Sequence, residues 1–171
     1  PPRDCPRGGY CVANMSQPTD CPAGHYGNET RLSDALCSGE CAQGYYCEAG
    51  SVSAKAAACA EGSYGAATGL VAQAECTVCP AGTYCFAGST AATSCSKGTY
   101  AAAEGSQLCD ACPEGKYQGQ EGASACTECG DGFTCPEGSV VQIPASCEPG
   151  TYLDSASDQC LGCPAGSVCA G

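Results

Sequence analysis

The sequence contains no tryptophan, one methionine, one histidine and two phenylalanines, and Leu, Ile, Val and Phe together supply only 16 of its 171 residues. At roughly 25 cal/mol per Å² of apolar surface buried, so few large side chains cannot offset about 1 to 2 kcal/mol of backbone entropy per ordered residue. A globular domain built on a central apolar core is therefore excluded. Basic residues are scarce as well: six Lys and Arg stand against 18 Asp and Glu, a formal net charge of −12. That balance argues against nucleic acid or an anionic membrane as a direct partner. No apolar run approaches the ~20 residues that cross a bilayer, so this segment is expected to insert no membrane span. No signal peptide is visible at Pro1, and the chain is expected to be a mature or excised piece of a larger secreted protein.

Catalytic groups are equally sparse. With His25 as the single histidine, no repeated Ser-His-Asp or Cys-His arrangement and no imidazole-based metal site can be assembled. His25 sits at a variable position and reads as an exposed loop residue. No EF-hand pattern occurs, Asp154 and Asp158 being the nearest approach to one, and no phosphate-cradling glycine loop is present. The expectation is a protein that is not an enzyme and that carries no catalytic residue, cofactor or metal.

What the chain does have is twenty cysteines, 24 glycines and nine tyrosines. Cysteine at that density marks a disulfide scaffold, with covalent staples in place of a core. Cytosolic thiol buffers would keep such cysteines reduced, so the expected location is extracellular: secreted, surface or matrix. The only two asparagines, Asn14 and Asn28, both lie in acceptor sequons, Asn14-Met15-Ser16 and Asn28-Glu29-Thr30, and are expected to carry N-linked glycans.

One motif organises these residues. Cys-x-x-Gly-x-Tyr begins at Cys5, Cys21, Cys41, Cys59, Cys79, Cys95, Cys112 and Cys147, and in degenerate form, ending in Thr134 or Val168, at Cys129 and Cys163. Each start is an odd-numbered cysteine, so residues 1–171 read as a single tandem array of about ten two-cysteine units, each touching mainly its neighbours. Short units have their second cysteine six residues on: Cys5 and Cys11, Cys41 and Cys47, Cys79 and Cys85, Cys129 and Cys135, Cys163 and Cys169. Long units space the two further apart: Cys21 and Cys37, Cys59 and Cys76, Cys95 and Cys109, Cys112 and Cys126, Cys147 and Cys160. Pairing within units uses all twenty cysteines, although spacing alone does not decide connectivity.

Glycine at the fourth motif position implies a turn with positive φ, and Pro22 or Pro80 ahead of it suits a type II turn with proline second. The tyrosine two residues on should open a short strand, and the motif tyrosines should pack on disulfides and glycines as a thin spine. The alternative is that they are exposed. Long-unit loops such as Ala66–Leu70 and Ala101–Gly105 read as hairpin tips, and Ser53–Ala58 as at most a helical turn. The fold class expected is a small disulfide-rich repeat protein: an elongated array of short β-hairpins and turns, with little helix and no central hydrophobic core.

Four Cys-x-x-Cys pairs, at 76/79, 109/112, 126/129 and 160/163, match zinc-ribbon spacing in isolation. Each straddles a unit boundary, however, and two place a carboxylate (Asp110, Glu128) beside the sulfur, which disfavours a reactive thiolate. They are read as junctions.

These junctions, with Cys-Pro-Ala-Gly-Thr-Tyr at 79–84 and Cys-Pro-Glu-Gly-Lys-Tyr at 112–117, resemble ephrin-receptor-like cysteine-rich repeats and, more distantly, TNF-receptor cysteine-rich modules. The TNF-receptor likeness implies a rival, crossed connectivity, for example Cys76 to Cys85 with Cys79 to Cys95. The family resemblance implies a spacer or a protein-binding surface in an ectodomain, matrix or surface coat. Two readings follow. One is an extracellular structural segment of a stalk, coat or fibre, whose partners are copies of itself or other extracellular structural proteins. The other is a ligand-binding region of a receptor or adhesion ectodomain, with Phe86, Phe133 and Val140-Val141-Gln142-Ile143 as candidate contact residues.

Overall fold

A computed structural model describes residues 5–13, 17–147, 150–154, 156–157 and 159–165. Because its glycine adopts φ between 77° and 88°, each of the nine motifs from Cys5 to Cys147 folds as a tight turn followed directly by a short strand. That strand pairs antiparallel with the residues just before the next motif cysteine. The hairpins are β1 (Gly9–Tyr10) with β2 (Thr19–Asp20), β3 (His25–Tyr26) with β4 (Gly39–Glu40), and β5 (Tyr45–Tyr46) with β6 (Ala57–Ala58). They continue with β7 (Ser63–Tyr64) and β8 (Thr77–Val78), β9 (Thr83–Tyr84) and β10 (Thr93–Ser94), and β11 (Thr99–Tyr100) and β12 (Asp110–Ala111). The last three are β13 (Lys116–Tyr117) with β14 (Thr127–Glu128), β15 (Phe133–Thr134) with β16 (Ile143–Pro144), and the longer β17 (Thr151–Asp154) with β18 (Gln159–Gly162). Short and long units form the same hairpin and differ only in the loop between strands. In the seventh unit Lys116 lies opposite Glu128 at 2.6 Å, and the carboxylate raises the ammonium pKa above its ordinary value.

Proline stands one place earlier in the turn than its sequence signal implied. Thr83 N–H donates to Pro80 C=O at 3.1 Å, which makes Pro80 the first turn residue and Gly82 the third. The cysteine carbonyl cannot close the turn because it is engaged elsewhere: Cys79 C=O accepts from Gly105 N–H of the following unit.

Such bonds recur. From the first unit to the eighth, each of seven junctions carries four backbone hydrogen bonds of 2.7–3.1 Å. At the junction of the fifth and sixth units, Gly82 N–H donates to Ala101 C=O and Cys95 N–H to Gly82 C=O. Gly105 N–H donates to Cys79 C=O, and Cys85 N–H to Ser106 C=O. A second glycine in each loop, such as Gly105, presents its N–H from a left-handed backbone. In the second unit Arg31 takes that place, at φ 67°, and its N–H reaches Cys5 C=O at 3.0 Å. A side chain there costs about 1–2 kcal/mol, so Arg31→Gly is expected to stabilise the N-terminal units by up to about 1 kcal/mol, glycine's own entropy offsetting part. A thermal midpoint that falls would contradict this.

Contact also reaches two units along the chain, beyond the neighbour-only arrangement the repeat implied. A Cβ on Gly82 would overlap the carbonyl oxygen of Gly122, two units on, and the same holds for Gly8, Gly24, Gly44, Gly62 and Gly98 against Gly50, Gly69, Gly88, Gly105 and Gly138. The buried spine consequently consists of sulfur and backbone rather than rings. The largest fully buried side chains among the described residues are all cysteines, while the motif tyrosines are half-buried at the flanks. Total accessible surface is 9954 Å², against about 7,700 Å² for a compact folded chain of this mass. The only helical element among the described residues is a 3₁₀ turn, Gln73–Glu75; Ser53–Ala58 forms a turn that runs into β6.

Candidate functional site

The structure joins each odd-numbered cysteine to the next: Cys5–Cys11, Cys21–Cys37, Cys41–Cys47, Cys59–Cys76, Cys79–Cys85, Cys95–Cys109, Cys112–Cys126, Cys129–Cys135 and Cys147–Cys160. Their Cα atoms lie 5.6–6.3 Å apart, within the ordinary range for a disulfide. Cys163 is disulfide-bonded too, and its expected partner Cys169 lies outside the described residues. The two residues inside a Cys-x-x-Cys pair are return-strand residues: Thr77-Val78 is β8, Asp110-Ala111 is β12 and Thr127-Glu128 is β14. The cysteines flanking each strand belong to different disulfides, so no thiolate is left there to hold zinc or to exchange.

His25 lies on β3 opposite Glu40, half-buried, and its Nδ1 atom is buried without a hydrogen-bond partner. It is therefore a strand residue and not the exposed loop residue its variable position implied. Asn28 is exposed, as is Thr30 of its sequon, and Asn28 N–H donates to Ser38 Oγ at 3.1 Å. Asn14 lies outside the described residues. Among the described residues no helix is long and apolar enough to cross a membrane. Asp154 closes the β17–β18 hairpin by accepting from the Ser157 hydroxyl and N–H, which holds its carboxyl below the usual range.

The candidate contact residues separate in space. Phe86 is 61% exposed and meets Tyr84 edge-on with ring centroids 5.2 Å apart. Val140 lies close to Gly98, two units back. Gln142 clamps the seventh and eighth units, its Oε1 accepting from Gly130 N–H and its Nε2 donating to the Tyr117 hydroxyl. The stretch 140–143 thus helps seal the array through Gln142 and one side of Val140, while Val140, Val141 and Phe133 all remain exposed.

A feature that motif counting missed is where the ladder stops. In every earlier unit the motif cysteine directly follows the return strand, but Ala145 and Ser146 separate β16 from Cys147. Ala145 N–H takes the bond to Gly132 C=O that a cysteine makes elsewhere, and the ninth unit is displaced from the register. The motif glycines of the first six units are buried, whereas Gly115 and Gly132 are exposed with nothing within 4 Å of a Cβ position. Beside them an open cleft of about 460 Å³ is lined by Glu114, Gly115, Cys129, Phe133, Cys135 and Pro136, among others.

Two overlapping segments, residues 82–129 and 98–148, match the family described as tyrosine-protein kinase ephrin type A/B receptor-like. Residues 82–148 are thus similar to ephrin-receptor-like cysteine-rich repeats, the resemblance that their motifs carry. No curated protein matches the chain.

Proposed function

We propose that this ephrin-receptor-like chain is an extracellular structural segment, a stalk, coat or fibre element whose reach is set by the number of stapled units. The observation carrying this reading is the unbroken ladder over eight units, in which identical backbone bonds and glycine contacts recur and no unit bears a distinctive inserted loop. Such a design transmits length and stiffness rather than chemistry. N-linked sugar at Asn14 and Asn28 coats the N-terminal units, and the partners are copies of itself or other extracellular structural proteins. Small-angle scattering of the chain is expected to give a radius of gyration well above the ~15 Å of a compact chain of this length, and electron microscopy of native material should show rods or filaments. A globular value with no filaments overturns the proposal.

The family match over residues 82–148 favours a second reading, a ligand-binding region of a receptor ectodomain, and the exposed Phe86, edge-on to the half-buried Tyr84, lies within that match. A saturable, stoichiometric complex with a soluble protein, lost in Phe86→Ala and unaccompanied by assembly, decides for it.

Glycosylation is checked directly. Glycosidase treatment of native protein should remove mass at two sites, and Thr30→Ala should abolish the one at Asn28 while leaving the other. An unchanged mass on treatment contradicts both.

A further inference from the structure

The eighth unit ends the ladder with backbone groups that have occupants at every earlier junction. Between the fifth and sixth units, Gly82 N–H, Cys79 C=O and Cys85 N–H all bond to the incoming unit, and Gly62 of the fourth unit faces the loop-glycine carbonyl of that same incoming unit. The corresponding groups at the end of the ladder are Gly132 N–H, Cys129 C=O, Cys135 N–H and the Cα face of Gly115. Among the described residues the first three make no hydrogen bond, and Gly115 is open. Cys129 is half-buried where Cys79, Cys95 and Cys112 are fully buried, and Phe133 is 45% exposed. The cleft of about 460 Å³ lies across this face.

We propose that the face at Gly115, Cys129, Gly132 and Cys135 is a docking site for a cysteine-rich repeat of the same kind carried by a second protein chain, which enters with its disulfide-closed motif and the left-handed glycine that follows it. The seven internal junctions identify the occupant, because each one seats that element on the same backbone groups. Recognition is by main-chain hydrogen bonds, as in strand addition to an exposed sheet edge, and the small Cα of Gly115 admits the incoming carbonyl. This deepens the structural reading, on which it rests, by naming where one array accepts another.

A disulfide-closed synthetic peptide covering residues 79–90 contains the three groups that bond to this face, Cys85 C=O, Gly88 N–H and Ser89 C=O; its Cys79 N–H is left over, because Gly132 C=O already accepts from Ala145 N–H. Titrated into the intact, disulfide-bonded chain, it is expected to shift and protect from exchange the amides of Gly132 and Cys135. Gly115→Ala puts a methyl group where the incoming carbonyl must lie and is expected to weaken binding at least about tenfold. Gly138→Ala has a similar left-handed φ and equally open surroundings but lies outside the docking face, so it should bind the peptide like the parent. Equal loss in both variants, binding that ignores Gly115, no binding at millimolar peptide, or amides already protected without peptide each overturns the proposal. A globular radius of gyration with no filaments in native material would sink the stalk reading while leaving peptide binding intact, so the two fail separately.

Discussion

Gly82→Val is expected to lower local stability by about 2–5 kcal/mol, while Gly132→Val costs about 1–2 kcal/mol, although the two glycines have φ of 83° and 80°. Both variants incur the strain of a β-branched residue in the left-handed region. Only at Gly82 does the added Cβ run into the Gly122 carbonyl two units on, in an interior that has no flexible side chain to yield. The difference between the variants therefore isolates the contact between alternate units. Native-state amide exchange at Cys95, whose N–H bonds to Gly82 C=O, and at Gly122, whose N–H bonds to Cys95 C=O, is the appropriate readout, because a repeat array need not unfold in one step. Equal acceleration of exchange around both substituted sites would remove the alternate-unit contact from the account.

That contact also marks the limit of what could be read from the amino-acid order. Cysteine spacing located each unit, and the motif glycine located each turn, because only glycine enters a left-handed turn at no steric cost. The strand after the turn followed from the tyrosine. The return strands did not: Gly39-Glu40, Ala57-Ala58 and Asp110-Ala111 have no β-propensity in common, and their pairing is imposed by the next motif cysteine bonding back to the preceding glycine carbonyl. Nor was the buried spine legible, since backbone carbonyls leave no compositional trace and tyrosine was the only large side chain at a regular place. Arg31 hid among polar loop residues although it performs a glycine's task. The two residues Ala145-Ser146 are visible as a spacing, but that spacing acquires meaning only once the cysteine N–H is known to be a ladder donor.

Reduction of the disulfides is expected to have the largest effect of all, namely loss of the whole fold without denaturant. Apart from cysteines, Ala101 is the one buried hydrophobic residue among those described, so no apolar nucleus would survive cleavage of the staples. Each disulfide stabilises by about 2–3 kcal/mol in the loop-entropy view, the six-residue separations toward the lower end and those of 13–17 toward the upper. The hairpins they hold are two residues per strand in the first eight units, far below independent stability. The junction bonds at about 1 kcal/mol each depend on units that already have their shape. Breaking one staple, as in Cys79→Ser with Cys85→Ser, should therefore open the fifth unit and loosen the units it touches on either side, while distant units keep their protection. Full reduction and alkylation should instead bring every amide to the exchange rate of an unfolded chain. Protection persisting at Cys95, Cys112 or Gly98 in fully alkylated protein would show that the ladder holds itself, and the staples would then be reinforcement rather than the replacement for a core.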